Sequence, residues 1–172
     1  PQAVICAVAR TPIGKFMGAY ASLSAVDLGV MTVKELLTRA NIDPESGVVD
    51  EVVFGQVLQA GVGQNPARQV ALGAGLPVST PCTTVNKVCG SGMRTVMMAH
   101  DMVRAGTAGL VVAGGMESMT NAPYLSPGTR GGARLGHQTL QDHMFLDGLE
   151  DAYDRGRLMG SFAEDCASRY QF

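Results

Sequence analysis

The chain has 172 residues, 46% of them apolar and 16% charged, with 22 glycines, no tryptophan and a formal net charge of −2. That balance argues for a compact α/β protein with a sizeable core and against disorder. It gives no electrostatic drive toward nucleic acid or an anionic membrane, and no apolar run approaches the ~18 residues needed to span a bilayer.

Residues 4–8 read as a short buried strand, with Cys6 a small hydrophobe inside it. Residues 24–40 read as an amphipathic helix. Ser24 and Asp27 resemble a capping pair, and Leu28, Met31, Leu36 and Ala40 fall near one face. Residues 41–47 (NIDPESG) form a turn, and residues 48–58 read as a second strand. Asn65-Pro66 is a helix start, a cap residue followed by proline at the first helical position. That helix ends in Gly73 and Gly75. The next strand carries Thr83, Thr84, Val85 and Val88, followed by a helix from about Ser91 to Ala105 that Gly106 terminates. Residues 109–115 (GLVVAGG) are another buried strand. Strands and helices alternating at this spacing imply a mostly parallel sheet with helices on both faces.

From Met116 onward the texture changes. Residues 120–137 are rich in Pro, Gly and Arg and read as a long excursion. Helical segments are expected over residues 139–149 and again from Phe162, where Ser161 and Glu164 suggest a capping box. Two regions result: 1–119, a domain lacking its last elements, and 120–172, the start of a second. The chain stops at Phe172 without a stop signal and reads as truncated in mid-helix. Pro1 is no initiator methionine, so something upstream is expected to have been removed. With no basic leader, and four cysteines (Cys6, Cys82, Cys89, Cys166) that form no CxxC, a reducing, cytoplasmic setting is expected. Cys166 reads as a small buried residue on a helix.

Cys89 is the residue with chemistry. It lies where a β-branched run gives way to Gly90, Ser91, Gly92 and a helix, as in the strained nucleophile turn of serine hydrolases. A thiol there meets the positive end of a helix dipole, and flanking glycines let a bulky substrate approach. Two readings compete: a covalent acyl-accepting nucleophile, or a buried cysteine at a strand end. Acyl chemistry needs a base and N–H donors for the oxyanion, and the backbone N–H of Cys89 is one donor. No base is at hand. His100 lies 11 residues along the same helix, roughly 16 Å away, while His137 and His143 read as exposed surface residues. Neither cysteines nor histidines have metal-ligand spacing, so no metal is expected. The glycine clusters fit no dinucleotide or phosphate loop. Arg130, Arg134, Arg155 and Arg157 are available to phosphates, to subunit contacts or to solvent.

VNKVCGSGM (residues 85–93) and VVAGGMESMTNAPY (residues 111–124) resemble the thiolase family, specifically its acetoacetyl-CoA branch. ARTPIGKFMGAY (9–20), GQNPARQVAL (63–72) and GRLMGSFAEDCA (156–167) are similar to the same family. The resemblance implies the N-terminal half of a five-layer α/β/α/β/α fold, with Cys89 accepting an acetyl group from acetyl-CoA. A second acetyl-CoA then attacks, giving acetoacetyl-CoA and CoA, and thiolysis is the reverse. CoA is thus a substrate and product, and no cofactor is implied. The excursion would open a CoA-binding and tetramerisation loop domain, with Leu149, Leu158 and Met159 lining the pantetheine path. Family members often carry histidine where Leu158 stands. The family's Gly-His-Pro and Cys-x-Gly motifs, which hold the activating histidine and acid/base cysteine, do not occur in these residues. The 172 residues alone are therefore expected to be inactive, and the full-length enzyme to be a homodimer or homotetramer. The alternatives are a 3-ketoacyl-CoA thiolase of fatty-acid degradation and a non-catalytic CoA- or lipid-binding module.

Overall fold

A computed structural model describes residues 2–172. It divides into two compact units, Pro1–Asn121 and Ala122–Phe172.

In the first unit, residues 4–8 are not the buried strand that their apolar run suggests. They belong to no strand or helix, and Val4, Ile5, Cys6 and Val8 are exposed. A strand exists only by its ladder, and this segment finds no partner strand among the described residues. Helix α1 spans Ala25–Arg39, and its capping box is present. Ser24 Oγ accepts the Asp27 N–H at 3.0 Å, while Asp27 Oδ2 accepts the Ser24 N–H at 2.9 Å. Bonds from the Ser24 hydroxyl and then its N–H hold the Asp27 carboxyl below the usual range. The buried stripe is shifted from the expected one: Ala25, Gly29, Val33 and Leu37 face inward, and Met31 is exposed. Gly29 sits on that face where the neighbouring helix comes closest. A Cβ on Gly29 would stand 2.7 Å from Val70 Cγ2.

That neighbour is α2, Pro66–Gly73, which starts as predicted at Asn65-Pro66. Asn65 adopts φ 39° and ties its helix to the sheet. Its Nδ2 donates to the Cys82 carbonyl at 3.0 Å, and its Oδ1 accepts from Thr84 Oγ1 at 2.8 Å. The Arg68 guanidinium donates to the carbonyls of Thr80 and Val78 at 2.8 and 2.7 Å, fixing the approach to the next strand.

Three parallel strands follow: β1 (Glu51–Gly55), β2 (Cys82–Val85) and β3 (Val111–Gly115), in the order β2-β1-β3. Their registers run from Val52↔Cys82 to Gly55↔Val85 and from Glu51↔Val111 to Gly55↔Gly115. Helices cover both faces. Val52 and Phe54 join Val33, Leu37, Val70 and Ala71 in one apolar cluster, so α1 and α2 lie on that side. Alternation turns Val53 and Gly55 to the other face, against helix α3 (Ser91–Ala105). Gly106, at φ 75°, closes α3 as expected. The parallel α/β expectation holds.

In the second unit, Tyr124–Leu125 (β4) pairs antiparallel with Gln141–Asp142 (β5). The helix expected over 139–149 shrinks to a π-helical turn, Phe145–Leu149. Pairing with β4 consumes the segment's start, and the His143 N–H goes to the Pro123 carbonyl at 3.1 Å. Helix α4 runs Met159–Tyr170, three residues earlier than expected. Ser161 is no cap, since its hydroxyl donates back to the Leu158 carbonyl at 2.7 Å. Gln171 follows α4 in the left-handed region, and the Phe172 N–H returns to the Ala167 carbonyl at 3.1 Å. No residue of α4 is buried, Cys166 included.

Candidate functional site

Strand β2 ends at Val85, earlier than the β-branched run suggests, and residues 86–90 form the turn into α3. Asn86 Oδ1 accepts the Val88 N–H at 2.9 Å. The N–H groups of Gly90 and Ser91 bond to the carbonyls of Lys87 and Val88 at 3.1 and 3.0 Å. Ser91, 5% exposed, adds side-chain bonds: its Oγ accepts the Lys87 N–H at 2.9 Å and donates to the Val88 carbonyl at 2.6 Å. None of these bonds uses the N–H of Cys89, Gly92 or Met93. The turn is strained, but at Val88 and not at the cysteine. Val88 has φ 48°, a left-handed conformation that costs a β-branched residue on the order of 1–2 kcal/mol.

Cys89 is exposed on this turn, not buried at a strand end. It stands at the C-terminal edge of the parallel sheet, where open α/β sheets characteristically bind ligands. Glycines let α3 reach the sheet at this edge. A Cβ on Gly55 would fall 2.6–2.8 Å from Ser91 and the Gly92 nitrogen, and one on Gly115 would fall 3.2 Å from the Gly92 Cα. Behind them, fully buried Thr95 directs its hydroxyl at the carbonyls of Gly92 (2.7 Å) and Gly114 (2.9 Å). The first turn of α3, with its N–H groups aimed at the Cys89 side, is thus fixed to the ends of β1 and β3. Glu117 secures the loop after β1, accepting the N–H groups of Val57 and Leu58 at 3.0 and 2.9 Å.

The other cysteines are not placed this way. Burial pushes the half-buried Cys82 thiol up, with the Arg68 hydrogen bond and charge pulling the other way. Such a thiol is a poor nucleophile near neutrality. His100 sits on α3, exposed and beside Asp101. A cavity of about 590 Å³ in the first unit is lined by Arg10, Phe16, Tyr20, Leu28 and Met116 among others, with no cysteine or histidine in its wall. No group of three or more metal-binding side chains occurs among the described residues.

In the second unit a bridge between Glu150 and Leu158 sets the predicted CoA residues side by side along the backbone. Leu149 precedes the bridge and Met159 follows it. Leu149 is half-buried, while Leu158 and Met159 are each 41% exposed. The intervening loop closes on Glu150, whose carboxylate accepts from Arg155 Nη1 at 2.9 Å and the Gly156 N–H at 2.6 Å. Arg155 and then Gly156 hold that carboxyl below the usual range. His143 is not a surface residue. It is 5% exposed, with Nδ1 2.6 Å from Asp147 Oδ2. Arg157 is engaged by Asp165 and lies 3.6 Å from the Phe162 ring centre, whereas Arg130 and Arg134 are exposed.

The roles of Ser91, Val88 and Glu117 in fixing this edge come from the structure. A serine two positions after the cysteine was visible, but the conformation of Val88 leaves no mark in composition or periodicity.

The family described as "Thiolase, N-terminal domain" matches residues 3–172. The chain is 52% identical over 168 residues to acetyl-CoA acetyltransferase 1 of Arabidopsis thaliana, covering 97% of this chain and 40% of that protein. It is 50% identical over 167 residues to the acetyl-CoA acetyltransferase of Cupriavidus necator, covering 97% and 42%. Among solved structures, the Acat5 thiolase of Ascaris suum in complex with coenzyme A superposes with a TM-score of 0.89 at 40% identity, over 97% of this chain and 42% of that one. The chain therefore spans about two-fifths of the length of these relatives.

Proposed function

The chain belongs to the thiolase family, and on that premise we propose that it carries the acyl-accepting half of an acetyl-CoA C-acetyltransferase. The observation that carries this reading is Cys89, an exposed thiol at the start of α3 on a turn packed glycine against glycine. The names of the relatives above support the acetyl substrate.

In the proposed reaction the Cys89 thiolate attacks the carbonyl carbon of acetyl-CoA. The oxygen becomes an oxyanion facing the Cys89 N–H, which uncommitted donors near a helix start are suited to stabilise. The carbon–sulfur bond to CoA then breaks, the CoA thiolate takes up a proton, and acetyl-Cys89 remains. A second acetyl-CoA loses an α-proton, and its carbanion attacks acetyl-Cys89. Acetoacetyl-CoA forms and the Cys89 thiolate returns. Residues 1–172 contribute the nucleophile and an oxyanion donor. Exposed His100, three turns along α3, is not arranged as the base. Leu149, Leu158 and Met159 are proposed to line the pantetheine path. The active assembly is proposed to be a homodimer or homotetramer.

The test uses the whole polypeptide that carries these residues. Acetyl-CoA should add one acetyl group to the peptide containing Cys89, and CoA-dependent cleavage of acetoacetyl-CoA should fall by about a thousandfold or more in Cys89→Ala. A chain of residues 1–172 alone should show no such cleavage. Labelling elsewhere, or undiminished cleavage by Cys89→Ala, overturns the reading.

A further inference from the structure

We propose that Ser91 is a positioning residue for Cys89. Its hydroxyl holds Val88 in the left-handed conformation, and so turns the Cys89 N–H and thiol outward together.

The argument is geometric. Ser91 Oγ takes the N–H of Lys87 and gives its own hydrogen to the carbonyl of Val88. Those groups belong to two different peptide planes, one before Lys87 and one after Val88. The backbone torsions of Lys87 and Val88 lie between them. Fixing both planes on one atom restricts those torsions, including the φ of 48° that a valine otherwise avoids. Asn86 Oδ1 fixes the plane in the middle through the Val88 N–H. The second plane also contains the Cys89 N–H. In a trans peptide the carbonyl and the N–H point opposite ways. Drawing the Val88 carbonyl toward Ser91 therefore turns the Cys89 N–H away from Ser91.

Ser91 can serve as an anchor because it is itself held. It is buried, and its backbone and Cβ lie where even a methyl on Gly55 would collide. The rigid end of β1 is thereby relayed to the cysteine through Ser91, whose hydroxyl alone joins the Lys87 N–H to the Val88 carbonyl. The backbone bond from the Ser91 N–H to the same carbonyl survives removal of that hydroxyl, so the turn loses its tension and not its fold.

The inference rests on the acyl-acceptor reading only where turnover is measured. Alkylation of Cys89 by iodoacetamide, followed on its own peptide, tests the clamp regardless of what the enzyme acts on. In the whole polypeptide, Ser91→Ala should slow alkylation of Cys89 by about tenfold, the scale of losing a buried hydrogen bond. Where acetoacetyl-CoA is cleaved, the loss should fall on kcat with KM little changed. The decisive arm is the double variant. Glycine adopts the left-handed region without cost, so in a Val88→Gly background Ser91→Ala should slow alkylation by no more than about threefold, a non-additivity expected of directly coupled residues.

Equal loss in both backgrounds overturns the proposal, as does a folded Ser91→Ala protein that alkylates at the parent rate. If Ser91→Ala and the double variant both fail to fold, the proposal falls as well, because the hydroxyl would then be a general packing element. If alkylation couples as expected but no acetoacetyl-CoA is cleaved by the parent protein, the clamp stands and the acetyltransferase reading fails.

Discussion

The two units are held by different forces. In Pro1–Asn121 the sheet and its helices pack through apolar side chains and bare backbone, with Val52, Phe54, Leu37 and Val70 on one face and Gly55, Gly92 and Gly115 on the other, and Glu117, Arg68 and Asn65 only fasten the connections. In Ala122–Phe172 no hydrophobic side chain is buried among the described residues, and His143 is the one polar side chain that is. Order there comes from carboxylates: Glu150 on Arg155 and Gly156, Asp147 on His143, Asp165 on Arg157. The contrast is instructive for catalysis. A nucleophile must be held to fractions of an ångström, and close packing does that at any pH. The loop closed by Glu150 is held by softer staples, and those respond to acid and salt.

The largest expected effect comes from overfilling the packed edge. Gly55→Ala would set a methyl 2.6–2.8 Å from Ser91 and the Gly92 nitrogen, and backbone atoms cannot step aside as a flexible side chain can. A loss of about 3 kcal/mol is expected by urea denaturation, with slower alkylation of Cys89. The same change at Gly160 in α4, with nothing within 4 Å of its Cβ, should be neutral or stabilising by up to about 1 kcal/mol. A tolerated Gly55→Ala would break the comparison.

A smaller effect is expected at Thr95. Thr95→Val keeps the shape but leaves the carbonyls of Gly92 and Gly114 without the hydroxyl they share. In a site with no exposure this should lower stability by about 2 kcal/mol. Hydrogen exchange should show the loss concentrated in α3 and β3. A change below about 0.5 kcal/mol would mean the hydroxyl is incidental.

The same contrast explains what the sequence revealed. Ser24, Asn65-Pro66 and Gly106 announced helix ends because caps are local chemistry, and all three hold. The cysteine at the head of α3 was legible for the same reason. Residues 4–8 misled because an apolar run reports an affinity for a sheet and not the presence of a partner strand. The stripe of α1 misled because small residues, invisible to a search for large apolar ones, mark the closest approach. His143 read as exposed because its burial depends on a π-helical turn and on Asp147, neither of which periodicity predicts. Leu149 and Leu158 were singled out by resemblance, and only the Glu150 bridge shows how nine residues of separation become adjacency.

The smallest effect, and the one that sharpens the contrast most, is at Glu150. Its folded-state carboxyl lies below the ordinary glutamate range, first because of Arg155 and then the Gly156 N–H. For a depressed carboxyl the stabilisation is full above the unfolded-state pKa and disappears as pH falls through the lower folded-state value. The loop of residues 150–158 should therefore keep its hydrogen-exchange protection, corrected for intrinsic rates, until pH drops below the ordinary glutamate range, and then open. Glu150→Gln should show weaker protection that no longer changes across that window, since the amide neither titrates nor draws Arg155. Added salt should narrow the difference, because the Arg155 side chain is 61% exposed. Residues 88–92 should hold their protection through the same acid window, since the bonds of that turn are between uncharged groups. If the two segments open together, the Cys89 edge depends on charge after all, and close packing alone does not account for its order.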